Sequence, residues 1–233
     1  MNSNRVKLAT TEECSGCASC VNACAKKCIS TKVNKYGFLQ PVIDNNLCIG
    51  CRKCDKSCPV LNLDKYKCNS HNTPEVYSAI LKDDSDRFNS ASGGAFFGIA
   101  RYVIEKGGVV FGVRFDGIHV RHDYTETIEG LEDFRGSKYV QSEVGLSYSL
   151  VKQYLKQDRL VLFSGTPRQV AGLNHYLSRT YDKLITVQLI CRGVASPGIW
   201  ERHMCHQMLK NRIQEIRNIR FHNQYLRNNG YEN

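Results

Sequence analysis

Eight cysteines near the amino terminus have the spacing to do redox chemistry. They stand as Cys14-x2-Cys17-x2-Cys20-x3-Cys24 and, after a short apolar stretch, as Cys48-x2-Cys51-x2-Cys54-x3-Cys58-Pro59. With 12 Cys in 233 residues, three more at fixed offsets arise by chance at about 10⁻⁴ per starting cysteine, and here it happens twice. Thiols recurring at period three wrap a tight turn around an iron–sulfur cube, and the fourth of each run reaches across to a second cube. This crossover predicts one cluster on Cys14, Cys17, Cys20 and Cys58, and another on Cys48, Cys51, Cys54 and Cys24.

The spacing is that of a bacterial two-cluster ferredoxin. Zinc explains it less well. A zinc ribbon uses two CxxC pairs separated by a longer loop, so a tetrahedral site would leave the third thiol of each run without a role. A disulfide framework is also disfavoured, because no basic stretch near the amino terminus leads into an apolar secretory core. No apolar run approaches spanning length, and the mean hydropathy is −0.39. The expectation is a cytoplasmic protein without a membrane span, its thiols kept reduced.

The formal net charge of +10 counts every cysteine as neutral. Each oxidised cube with four thiolates carries about −2, which brings the loaded protein nearer to about +6. Basic residues are interspersed with acids along most of the chain. Only the tail (Arg202, Lys210, Arg212, Arg217, Arg220 and Arg227 against Glu201 and Glu215) is lopsided, as a solvated helix face would be. Nucleic acid is therefore not expected as a partner.

The elements that must position the cysteines divide the chain. Residues 1–66 read as an α+β ferredoxin-like two-cluster domain, 67–75 as a linker containing Cys68, and 76–233 as an α/β domain with a mostly parallel sheet. In the first, Lys35-Tyr36-Gly37 reads as the turn of a hairpin between the cysteine runs. So small a unit buries little apolar surface, so the metal supplies much of its core. Cys28 falls outside the ligand set and reads as a small buried hydrophobe. In the second, strands are expected at Val76–Leu81, Val109–Phe115, Leu160–Phe163 and Ile185–Cys191. Ile118–Tyr124 reads as a hairpin partner and Ile216–Phe221 as an edge strand. Helices are expected at Ser92–Lys106, with Phe96, Ala100 and Val103 on one face; along the stripe Leu146, Leu150, Val151, Tyr154 and Leu155; at Thr166–Ser178; and at Pro197–Arg212.

Three of these helices open on good starting signals: Ser92-Gly93-Gly94, Thr166-Pro167-Arg168-Gln169 with a capping box, and Ser196-Pro197. Any one of them is simply well capped. Gathered at the carboxyl edge of the sheet, with Arg168 and Arg192 alongside, they would suit an anionic cofactor. The chain has neither a GxGxxG fingerprint nor a Walker loop. Its seven histidines are scattered, and no Ser/His/Asp or HExxH constellation is visible, so the catalytic residues are not readable.

The ferredoxin segment is followed by VYSAILK, SASGGAFFGIARYVIEKGGVVFGVRFD, GSKYVQS, SGTPRQVAGL and ICRGVASPGIW. In this order the segments resemble the coenzyme F-420 hydrogenase/dehydrogenase beta-subunit family over nearly the whole chain. The resemblance implies an iron–sulfur flavoprotein oxidoreductase with two [4Fe–4S] clusters and a flavin, FAD rather than FMN. Its partner would be a redox protein or a deazaflavin-like electron carrier. It places Ser92, Gly93, Gly94, Lys138, Thr166 and Pro167 around the flavin, with Lys138 suited to an anionic reduced flavin; a solvated surface lysine is the other reading of Lys138. Two positions depart from the family. Arg168 stands where a cysteine often follows Gly-Thr-Pro, and Cys191-Arg192-Gly193 stands where Cys-His-Gly is common. Both arginines could still grip a phosphate. Ala25 replaces the usual proline after the fourth cysteine, and members of the family run longer than this chain. The alternative function is a non-catalytic electron-transfer module whose α/β domain serves for docking.

Overall fold

The computed structural model describes residues 6–63, 73–216 and 219–221. Cys68, most of the 67–75 linker, Arg217 and Arg227 lie outside these residues.

The two cysteine runs fold alike. Helix α1 (Ser19–Ala23) and helix α2 (Lys53–Ser57) each follow a residue in the left-handed region, Ala18 at φ 58° and Arg52 at φ 58°. Each is preceded by a left-handed glycine, Gly16 at φ 66° and Gly50 at φ 69°. Every one of these positions recurs 34 residues later, so the segment is an internal repeat. The successive left-handed residues curl the backbone so that thiols three apart face one side. Between the repeats, β1 (Ile29–Val33) pairs antiparallel with β2 (Leu39–Ile43). Asn34 Oδ1 accepts from the Tyr36 and Phe38 amides, at 2.9 and 3.0 Å, and Gly37 takes φ 85° in the expected turn.

The remainder is an α/β layer structure around one four-stranded sheet of order β4-β3-β5-β6. β3 (Val109–Asp116) pairs antiparallel with β4 (His119–Thr125) and parallel with β5 (Val161–Gly165), which pairs parallel with β6 (Leu184–Gln188). Strand alternation splits the core cleanly. Val109, Phe111, Val161 and Phe163 face α5 (Ser147–Lys156) and α6 (Pro167–Leu177), meeting Tyr148, Val151, Leu155, Val170 and Leu173. Val110 and Leu162 face the other way, onto Phe97, Ala100 and Val103 of α4 (Ala95–Glu105), which follows the short α3 (Asp84–Phe88), and onto Leu131 of a 3-10 helix, Glu129–Phe134. Each fully buried valine, leucine or phenylalanine among them contributes roughly 1.5–3 kcal/mol.

Several expected elements differ. Val76–Leu81 joins no sheet; Val76, Tyr77 and Ile80 are exposed. Its apolar pattern finds no strand edge, and Leu81 N donates instead to Gly93 O, at 2.8 Å. Helix α4 begins at Ala95, because Gly94 at φ 82° is its N-cap, and Phe97 rather than Phe96 is its most buried aromatic ring. On α5, Tyr148, Val151 and Leu155 are buried whereas Leu146 is exposed. Strand β6 stops at Gln188, opposite Gly165, where β5 gives way to α6. Leu189 makes one further bond to Gly165 O, and Ile190 and Cys191 run out into solvent. Among the described residues of 216–221 there is no strand; Phe221 stacks on Phe115, with ring centroids 6.2 Å apart.

The cluster segment is clamped to the α/β body. Ala18 and Val21 belong to the main core cluster. Asn22 Oδ1 accepts from Ser149 N at 3.1 Å in the first turn of α5, and its Nδ2 donates to Gly145 O at 2.8 Å. The Gln141 amide pairs with Leu39 as a neighbouring strand would, accepting from N at 2.7 Å and donating to O at 3.1 Å. Gly37 O accepts from Gly198 N at 3.0 Å, where α7 (Pro197–Asn211) begins.

Candidate redox site

The cysteines of the repeats are free thiols, and several of the buried ones repel one another. Burial pushes the Cys17 thiol up to about 11, and the neighbouring Cys58 and Cys14 add to the rise. Burial likewise raises Cys20, whose neighbours are Cys17, Cys14, Cys58 and Cys54, and Cys14, which Cys58 also repels. Three sulfurs of the first run therefore lie near the last of the second, and Cys54 is also close to Cys20. Backbone amides point at these sulfurs: Gly16 toward Cys14 and Ser19 toward Cys17. Such N–H···S bonds favour thiolate and tune any cluster it holds. Buried thiols that repel one another ionise only against cations, which is the service that iron performs as it binds.

Cys20, Cys54, Cys28 and Ile29 form a small apolar cluster, with Cys24 and Cys48 packed against it. Cys28 is buried, as expected, and its sulfur lies 3.3 Å from Cys24 Sγ. Its thiol is pushed up to about 12 by burial and by its contacts with Cys24 and Cys48. Of the eight repeat cysteines, Cys51 alone is exposed. Among the described residues, no group of three or more His, Cys, Asp and Glu side chains is arranged for a single metal ion.

The first thiol group sits directly on the α/β body. A Cβ built on Gly172, in the middle of α6, would meet Cys17 Sγ at 3.0 Å, Cys17 Cβ at 3.1 Å and the Tyr148 hydroxyl at 3.1 Å. The absence of a side chain there lets the helix approach the cysteine. Tyr148 is fully buried and donates to Gln169 O at 2.7 Å; burial and the nearby Cys17 and Cys20 hold its phenol well above the ordinary range.

A cleft of about 850 Å³ opens beside this contact. Its wall includes Ser15, which stands between Cys14 and Cys17 with its hydroxyl beside the Cys17 sulfur. Ser92, Gly93, Gly94, Lys138 and Thr166, far apart in sequence, all line it, as does Arg192. Pro167 and Arg168 do not, being exposed on the outer side of the first turn of α6. The third expected helix start is elsewhere too: Ser196 is buried under the hairpin turn, where its Oγ accepts from Ile199 N at 3.3 Å. Helix α4 presents an uncapped start to the cleft, with no side chain bonded to its first amides and no acid in its first turn. Such an end favours an anionic group.

Lys138 is not a solvated lysine. Its ammonium donates to Asp133 O at 3.0 Å and Arg135 O at 2.9 Å, and burial brings its pKa down to about 8 against the opposing pull of Asp133. The loop carrying it is fixed by Asp86, which pairs with both Arg101 and Arg135; Arg135 lies over the Phe97 ring, 3.3 Å from its centroid. Arg135 foremost among its partners holds the Asp86 carboxyl below its usual range.

A buried polar chain ends at the cleft, and nothing in the motifs announced it. His122 Nε2 lies 3.2 Å from Ser164 O, and Nδ1 lies 3.2 Å from Ser142 Oγ. A carbonyl can only accept, so Nε2 carries the proton and Nδ1 accepts from the serine. Ser142 Oγ then accepts from Gln169 Nε2 at 3.0 Å, and Gln169 Oε1 accepts from Thr166 N and Oγ1 at 2.9 and 3.1 Å. Burial lowers the His122 pKa to about 4, and the ring stacks on Phe163. A neutral histidine thus orients Thr166 at the cleft through two side chains. The available signal was the alternation of β4, which puts Val120 and His122 on its inward face.

Residues 13–62 match the family model of a 4Fe-4S dicluster domain. This segment is an iron–sulfur electron-transfer module. The match spans both cysteine runs and the hairpin between them, and it ends before the α/β body. No curated protein matches the chain. Among the described residues, no helix is long and apolar enough to cross a membrane.

Proposed function

We propose that this chain is an oxidoreductase in which the 4Fe-4S module exchanges electrons with a flavin seated in the cleft. One observation carries the reading: Ser15, next to Cys14 and two residues before Cys17, is part of the wall of a cleft that also gathers Ser92–Gly94, Lys138 and Thr166. Its volume of about 850 Å³ lies in the range of cofactor sites, roughly 300–1,000 Å³. In this reading Cys14, Cys17, Cys20 and Cys58 hold the inner cluster, and Cys48, Cys51, Cys54 and Cys24 hold the outer one. Electrons pass singly through such clusters. A flavin would supply the exchange between single electrons and the electron pair of a hydride carrier such as a deazaflavin.

The chain's own groups do the rest. The first amides of α4 bind an anionic portion of the cofactor. Lys138, with two of its three N–H groups given to carbonyls, keeps a cation at the cleft wall that balances negative charge arriving there. His122, Ser142 and Gln169 hold Thr166 in one orientation. The test is anaerobic reconstitution with iron and sulfide in the presence of FAD or FMN, followed by desalting and quantification. About eight irons together with a retained flavin is the expected result. Iron without flavin would refute the oxidoreductase reading and leave an electron-transfer module whose α/β body serves for docking.

A further inference from the structure

The two halves of the cluster segment are superposable in pattern but opposite in environment. In the first half the outward side of the repeat is an interface. Ser15 lines the cleft, Ala18 enters the core, Ser19 is wholly buried and Asn22 bonds to the start of α5. The residues 34 positions later are Ile49, Arg52, Lys53 and Lys56, and all four are exposed. The same backbone therefore repeats the same face with nothing described against it and a different chemistry. Small and amide side chains become one aliphatic and three cations.

This face surrounds the exposed ligand. Cys51 shares a hollow of about 620 Å³ with Lys7, Arg52, Lys56 and Leu61. Leu47 and Ile49, in the segment that leads into Cys51, are 57% and 64% exposed. Among the described residues of this stretch the acids are Asp44 and Asp55, the latter lining the hollow and paired with Arg52 at 2.9 Å. Exposed aliphatic groups inside a charged rim are the anatomy of a transient protein interface. The excess of cations selects the sign of the visitor.

We infer that the Cys51 face is the docking surface for an acidic protein that carries electrons one at a time. The inference rests on the proposal that the outer cluster is bound by Cys48, Cys51, Cys54 and Cys24. It specifies where electrons cross the surface and what kind of molecule delivers or receives them. An electron leaving the reduced carrier reduces the outer cluster by one unit, and the carrier departs oxidised by one. Lys53 and Lys56 steer the approach, and Ile49 with Leu47 forms the dry contact.

The experiment uses the reconstituted holoprotein and two reductants followed by stopped flow. One is reduced flavodoxin, an acidic one-electron donor; the other is the reduced methyl viologen cation. With flavodoxin, the second-order rate constant is expected to fall as salt rises. In Lys53→Glu/Lys56→Glu it should drop by about tenfold or more, because steering of this kind is worth roughly 10–10³ in association rate. With the viologen cation, the same variant should react as fast as the parent or faster, at unchanged iron content. Damage to the clusters would slow both donors, whereas lost docking slows one. A flavodoxin rate indifferent to both salt and charge reversal overturns the docking surface. Protein that takes no electrons from the viologen overturns the cluster assignment, and the docking surface with it.

Discussion

Gly172→Ala offers the sharpest test of how the inner thiol group is seated. In an ordinary helix the change stabilises by roughly 0.5–1 kcal/mol, since glycine loses more backbone freedom on folding than alanine does. Here the new methyl would meet Cys17 Sγ, Cys17 Cβ and the Tyr148 hydroxyl, all at 3.0–3.1 Å. Tyr148 is fully buried and tied to Gln169 O, and Cys17 lies in a backbone turn fixed by two left-handed residues. Neither neighbour gives way easily, and overpacking of this kind costs roughly 1–3 kcal/mol. The clash should win, with a net loss of about 1 kcal/mol and displacement of Cys17. Gly98→Ala in α4 is the control. Its Cβ would meet only Leu81 Cδ2 at 3.0 Å, the far end of a flexible side chain, so the helix gain should survive. Denaturant unfolding of the anaerobic holoproteins, with iron counts on the same samples, separates the two. Gly172→Ala should lie about 1–2 kcal/mol below Gly98→Ala and lose a cluster. A Gly172→Ala protein as stable as the control, with full iron, would refute the close seating of α6 on Cys17.

Acidification should expose His122. Its folded pKa of about 4 lies below the unfolded value near 6.5, so its contribution is fully present above pH 6.5 and lost as pH falls toward 4. The stability difference between the parent and His122→Gln, which keeps a donor and an acceptor, should shrink by about 3 kcal/mol across that window; a constant difference would place the histidine in water. Removing iron with a chelator should strip amide protection from residues 14–58 while β3 and β5 keep theirs, as read by hydrogen exchange; native protection of the repeats in iron-free protein would contradict a metal-supported core. Asn22→Ala should cost about 1 kcal/mol in unfolding experiments, the usual value of a lost cap, and no loss would mean that α5 does not depend on the cluster segment.

The parts legible in the sequence are those written locally. The cysteine repeats carry their chemistry in offsets of three and four residues. The capping box of α6 is spelled out by Thr166, Pro167 and Gln169, and the burial of β3 and β5 on both faces follows from consecutive apolar residues. What a sheet does with an apolar run is not local. Val76–Leu81 and Leu189–Cys191 have strand composition, yet among the described residues the first finds no partner strand and the second outlasts its partner strand, which turns into α6 after Gly165. The cleft was half legible. Ser92, Gly93, Gly94, Lys138 and Thr166 converge on it, but helix phase turns Pro167 and Arg168 away while keeping Gln169 inside. The chain from His122 through Ser142 to Gln169 joins three stretches by folding alone, so no spacing could signal it.

The amide of Gln141 stands in for a missing strand, completing the edge of a hairpin that belongs to a different part of the chain. That substitution makes the boundary near residue 63 a seam in name only. A graft of the cluster segment onto another protein would arrive with Leu39 unpaired, Asn22 without its helix and Ala18 bared to water. Evolution could exchange this piece between proteins only together with the few side chains that receive it.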